Sequence, residues 1–171
     1  MQVGDIMNTL VVVCRPSDTL EVAARLMWEC DCGTLPVVDG ENRVAGIVTD
    51  RDICMSAYMK GRPLSGVRVG EAMTLHVYTC GAEDSIPSAE RLMRDRQVRR
   101  LPVVDGAERP IGIVTLGDVA RFATRQSKAD SPGRDVTRSL AEISRPRQQE
   151  RPSASSIPAG SSGTIVLERT L

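Results

Sequence analysis

One stretch of this chain is written twice. Val3-Gly4-Asp5-Ile6-Met7 returns 66 residues later as Val69-Gly70-Glu71-Ala72-Met73. Leu35-Pro36-Val37-Val38-Asp39-Gly40 returns as Leu101-Pro102-Val103-Val104-Asp105-Gly106, and Gly46-Ile47-Val48-Thr49 as Gly112-Ile113-Val114-Thr115. Residues 3–53 laid on 69–119 without a gap agree at 22 of 51 positions. Two copies of one small unit imply a pseudo-symmetric pair, and the fold follows from what one copy can form.

Each copy reads alike. A short apolar run, Val11-Val12-Val13 or Val77-Tyr78-Thr79, predicts a strand. A helix follows, with Asp18 as cap and Glu21 three residues on, and with Leu20, Ala23, Leu26, Met27 and Cys30 as its stripe. In the second copy Asp84 is the expected cap, and Pro87 falls in the first turn, where its missing N–H costs little. Two β-runs come next, 35–38 with 44–48 and 101–104 with 110–114, each pair joined through Asp-Gly. A second helix starts after Thr49 or Thr115. The expected class is α/β (α+β), two βαββα repeats over 1–60 and 61–126. Residues 127–171 carry nine Ser, four Pro, three Gly and no aromatic, so they are expected to be a loose tail. Thr164 to Leu171 include Ile-Val-Leu and suit a short strand or a docking peptide.

Composition removes whole function classes. Lys and Arg number 22, as do Asp and Glu, and aromatics are 2%. A nucleic-acid binder wants a basic surface or stacking platforms, so none is expected. No apolar run has the length of a membrane span, and Met1-Gln2-Val3-Gly4-Asp5 lacks a basic start and apolar signal core, so a cytoplasmic protein is expected. His76 is the single histidine, which leaves little for Ser-His-Asp or Cys-His catalysis.

The sharpest chemistry lies where a strand runs into Thr-x-x-Asp, at Thr49-Asp50-Arg51-Asp52 and Thr115-Leu116-Gly117-Asp118. Such a pair starts helices by capping. The same geometry suits a nucleotide. The helix N-terminus favours phosphate, the hydroxyl can donate, and an ionised carboxylate accepts from a ribose diol.

With both endings in hand, residues 1–125 resemble a tandem CBS-domain pair, or Bateman module, of the small stand-alone bacterial kind. The resemblance rests on the Val-Gly-Asp-Ile-Met opening, the Leu-Pro-Val-Val-Asp strand and the Gly-Ile-Val-Thr-x-x-Asp ending. It implies a non-enzymatic regulatory module that needs no cofactor and binds an adenosine ligand between the repeats. Asp52 and Asp118 would hold ribose, and Thr49 and Thr115 would touch phosphate or ribose. Thr34 and Arg100, just before Leu-Pro-Val-Val, would face phosphate, with Arg51 and Arg99 beside them. The base would lie on the first strands, near Val11, Val12, Val77 and Tyr78, and on Pro36 and Pro102. AMP, ADP and ATP are the expected ligands; NAD and S-adenosylmethionine share the adenosine and stay open. The Arg99-Arg100 doublet and Gly117 rank the Asp118 site first for a phosphorylated ligand. A homodimer acting on an unidentified regulated protein is expected.

Five cysteines, at 14, 30, 32, 54 and 80, fit free thiols better than a disulfide framework. Cys30-Asp31-Cys32 lacks the further ligands of a zinc site, so no metal is expected. Two other functions stay in view: an adaptor whose nucleotide sites are degenerate, and a thiol redox sensor through Cys30 and Cys32.

Overall fold

The computed structural model of the chain describes residues 1–126 and 165–167. The first repeat holds β1 (Val11–Val13), α1 (Leu20–Glu29), β2 (Thr34–Val38), β3 (Val44–Thr49) and α2 (Asp50–Lys60). The second holds β4 (Cys80–Gly81), α3 (Ile86–Arg96), β5 (Arg100–Val104), β6 (Pro110–Thr115) and α4 (Leu116–Gln126). The βαββα order is that of the repeat reading. A further strand, β7 (Ile165–Leu167), pairs antiparallel with β1, Val12 opposite Val166. The loose tail expected over the rest of 127–171 lies outside the described residues.

The two hairpins share one register. Thr34 pairs with Thr49 and Val37 with Gly46 in the first; Arg100 pairs with Thr115 and Val103 with Gly112 in the second. Each register shifts once, after Val37 or Val103. Parallel contacts, Cys14 to Val37 and Cys80 to Val103, bring the first strand alongside.

Local chemistry departs from the sequence reading at two places. The helix caps are Thr19 and Ser85, accepting from the backbone N–H of Val22 and Ser88, each at 3.3 Å. Asp18 and Asp84 instead reach back to the N–H of Arg15 and Gly81, at 2.7 and 2.8 Å. They close the turn before the helix, which leaves the next residue extended and free to cap. Asp-Gly does join each hairpin, though the left-handed positions fall later in the loop. The left-handed residues are Asn42 (φ 62°) and Glu108 (φ 61°). Asp39 Oδ1 accepts from Glu41 and Arg43, and Asp105 Oδ1 from Ala107 and Arg109, all at 2.9 Å. Those N–H donors hold both carboxyls below the usual range. Last, Val77-Tyr78-Thr79 is no strand; pairing begins at Cys80. Tyr78 is exposed and carries the Arg96 guanidinium 4.9 Å from its ring centroid, a local contact that replaces sheet pairing.

The two repeats exchange their leading segments. Val3 N–H donates to Asp84 O and Gly4 N–H to Ala82 O; the equivalent bonds run from Val69 to Asp18 and from Gly70 to Pro16, all between 2.8 and 3.0 Å. Asn8 and Ile113 bond reciprocally, as do Thr74 and Ile47. Val3 is therefore fully buried in the second core, among Leu101, Val103 and Val114, while Val67 and Val69 fill the first, with Leu20, Leu35 and Val48. Each such valine contributes about 1.5–3 kcal/mol by burial, so neither core is complete without the other repeat's leader. Glycine permits the approach. A Cβ on Gly46 would lie 2.8 Å from Met73 Sδ, and one on Gly112 would lie 2.5 Å from Met7 Sδ.

Candidate functional site

Both Thr-x-x-Asp segments form reciprocal caps. Thr49 is extended, its Oγ1 accepts from Asp52 N–H at 3.2 Å, and Asp52 Oδ2 accepts from the Thr49 N–H and hydroxyl at 2.9 and 2.7 Å. Thr115 and Asp118 repeat this at 3.2, 2.7 and 2.6 Å. Two donors otherwise orphaned at each helix start are satisfied, and the carboxylates are fixed at positive helix ends.

Beyond that shared geometry the halves diverge. Asp118 Oδ1 is engaged by Arg121, three residues on, with the aspartate side chain 11% exposed. Among the described residues no donor meets Asp52 Oδ1. The position equivalent to Arg121 is Met55, which is exposed and uncharged.

Arg100 does not stay in its own repeat. Its Nη1 donates to Thr34 Oγ1 at 2.5 Å, while that hydroxyl donates to Gly33 O at 2.5 Å. Gly33 O also accepts from Asp50 N–H at 3.3 Å, so the guanidinium stands beside the start of α2. A Cβ on Gly33 would sit 3.0 Å from Asp50 Oδ2 and 3.7 Å from Arg100 Nη1. The first contact is tight and would push the exposed Asp50 carboxylate aside; the second is ordinary packing distance.

Thr34, Thr49, Arg100 and Thr115 thus come together through hairpin register and the Arg100–Thr34 bond. Pro36 and Pro102 are buried inside their strands, as are Val11 and Val12. Val77 is half-buried, Tyr78 faces Arg96, and Arg51 and Arg99 are exposed. Arg99 contributes its carbonyl, which accepts from Leu116 N–H at 2.8 Å. Sequence reasoning set Gly33 and Asp50 beside Thr34 and Arg51 in the first half without a ligand role, and passed over Arg121. The i,i+3 spacing from Asp118 to Arg121 carried the signal for it.

Three of the five thiols, Cys14, Cys32 and Cys80, are held protonated. Burial pushes Cys14 and Cys80 up to about 12 and Cys32 to about 11, the opposite of an activated thiolate. Among the described residues no three or more His, Cys, Asp or Glu gather as metal ligands, and no helix is long and apolar enough to cross a membrane.

A CBS domain family model matches residues 3–57 and again 69–125. Hypoxic response protein 1 of Mycobacterium tuberculosis is 38% identical over 117 residues, 68% of this chain and 81% of that one. A crystal structure of Hypoxic Response Protein I, with two coordinated zinc ions, matches at TM-score 0.64 and 36% identity, over 71% of this chain and 98% of that one. The CBS domain pair of protein MJ0100, in complex with 5'-methylthioadenosine and S-adenosyl-L-methionine, matches at TM-score 0.65 and 26% identity, covering 72% and 99%. CBSX2 in complex with AMP matches at TM-score 0.62 and 31% identity, covering 72% and 96%.

Proposed function

Because this chain belongs to the CBS-domain family and carries two copies of the domain, we propose that it is a non-enzymatic regulatory module that binds an adenosine ligand between its repeats. The observation that carries this is the twice-built Thr-x-x-Asp cap, Thr49 with Asp52 and Thr115 with Asp118, in a fold whose solved neighbours hold AMP or S-adenosyl-L-methionine. An aspartate accepts from the ribose diol, and its threonine shares the contact. Arg100, with one donor spent on Thr34, keeps others for phosphate, and Arg51 and Arg99 supply charge from solvent. Val77, Tyr78 and Pro102 border the base, and Thr34 stands with Arg100 at the phosphate. AMP, ADP and ATP fit this set best; NAD and S-adenosylmethionine share its adenosine.

The module works as a homodimer in the cytoplasm. Trp28 on α1 and Tyr58 and Met59 on α2 are 82%, 82% and 77% exposed. That is too much apolar surface to leave in water, and a two-fold partner covers it at least cost. Ligand binding then biases the dimer's conformation, by no more than the ligand's differential affinity for the two states, and a regulated protein reads the result.

The test is thermal unfolding against AMP, ADP, ATP, NAD, S-adenosylmethionine and adenosine. A ligand at a hundred times its Kd raises stability by about 2.7 kcal/mol. An upward shift in Tm with at least one is expected. Unchanged melting with all six would falsify the reading.

A further inference from the structure

We propose that this chain takes one nucleotide rather than two, at the Asp52 half, because Arg121 occupies the carboxylate that the other half would offer. The inference rests on the adenosine-binding reading and goes beyond it by naming which half is open.

A carboxylate that holds a ribose diol needs a free acceptor oxygen. In both halves Oδ2 is spent on the helix cap. The choice falls to Oδ1. On Asp118 it is bonded to the Arg121 guanidinium, and the pair is largely sheltered, with side chains 11% and 26% exposed. A ribose would have to displace a charged partner from its own aspartate, and breaking a sheltered ion pair is costly. On Asp52 no donor among the described residues meets Oδ1, and Met55, standing where Arg121 stands, cannot supply one.

A second asymmetry points the same way. Arg100 crosses from the second repeat to Thr34, beside Gly33 and the start of α2. Its equivalent in the first repeat is Thr34 itself, so no cation makes the return crossing. The first half therefore has an open acceptor and a borrowed cation. Asp50, on the same glycine, offsets part of that positive charge, which leaves the diol contact at Asp52 to decide occupancy. This reverses the ranking that the Arg99-Arg100 doublet suggests in sequence.

Calorimetry with AMP on the full chain tests it, folding of each variant being confirmed by its melting transition. Wild type is expected to bind one AMP per chain. Asp52→Asn keeps a capping oxygen but loses the diol acceptor, so affinity falls tenfold or more. Asp118→Asn, at the closed half, loses less affinity than Asp52→Asn. Arg121→Met copies the first half's residue onto the second and raises the stoichiometry to two. Two AMP per wild-type chain, a larger loss in Asp118→Asn than in Asp52→Asn, or an Arg121→Met chain that still binds one, overturns the inference and leaves the adenosine reading standing. No AMP binding to either wild type or Arg121→Met overturns the inference, and the adenosine reading falls with it only when the melts with all six ligands are also unchanged.

Discussion

Arg100 Nη1 donates to Thr34 Oγ1 at 2.5 Å, and the two residues hold the same place in the two repeats. The pseudo-symmetric position thus bonds to itself across the junction, with arginine on one side and threonine on the other. A half-buried guanidinium on a buried hydroxyl is worth about 1–2 kcal/mol, below the full value for a charged hydrogen bond because solvent screens part of it. A double-mutant cycle of Thr34→Val and Arg100→Met, read by urea unfolding, should return a coupling of that size. Additive losses would mean that the bond does not hold the repeats together.

The leader exchange makes a second prediction. Gly112→Ala drives a Cβ towards Met7 Sδ and to 3.2 Å from Asn8 O. The methionine end can move, but the backbone carbonyl is tied into the Asn8–Ile113 pair. Overpacking of this kind costs about 1–3 kcal/mol. Gly46→Ala, against Met73 and Thr74 O, should cost a similar amount. In Gly112→Ala with Met7→Ala the summed losses should not be reached, because the shortened side chain removes the nearest clash. A full sum, measured by chemical denaturation, would place the strain elsewhere.

Much of this was legible. The doubled motif carried the element order, both hairpins and the two Thr-x-x-Asp helix starts, because those depend on local pattern. What escaped depends on partners distant in sequence. Val3 and Val69 look like the start of their own repeats, yet each completes the other core. Arg100 reads as part of a basic doublet near Asp118, and only the packing of the halves takes it to Thr34. Asp18 and Asp84 read as caps, since an aspartate before a helix offers the same oxygen to the turn behind it and the helix ahead; Thr19 and Ser85 decide that contest.

The buried thiols make stability depend on pH in the alkaline range. Desolvation, aided by Asp18 and Asp84, holds Cys14 and Cys80 protonated up to about 12 against an ordinary thiol value of 9.0, and Cys32 up to about 11. Below pH 9 folded and unfolded chains are protonated alike, and the contribution is fully present. Above it the unfolded thiols ionise first, so stability falls by up to about 1.4 kcal/mol per pH unit for each thiol, until the folded thiols ionise too. Denaturation at pH 8, 9, 10 and 11 should show this slope, and a Cys14→Ala, Cys32→Ala, Cys80→Ala chain should flatten it. Iodoacetamide at neutral pH should reach exposed Cys54 well before those three. Rapid labelling of Cys32 in the folded chain would revive the redox reading.

Ser56 provides the last prediction. It is buried on α2, and its Oγ has no hydrogen-bond partner among the described residues. Its equivalent in the second repeat is Phe122, which packs on that core without a polar atom. A hydroxyl taken out of water without compensation is a net cost, and serine is also the poorer helix former. Ser56→Ala should therefore stabilise the chain by about 1 kcal/mol, raising Tm by about 2–4 °C at this size. The exposed Ser65→Ala should stay within about 0.5 kcal/mol of wild type. If Ser56→Ala instead lowers Tm, the hydroxyl has a partner that the fold alone does not supply. Repeating both melts with saturating AMP then tells where that partner lies: a deficit that deepens with AMP points to a ligand-dependent bond, and one that AMP leaves unchanged points to water held beside α2.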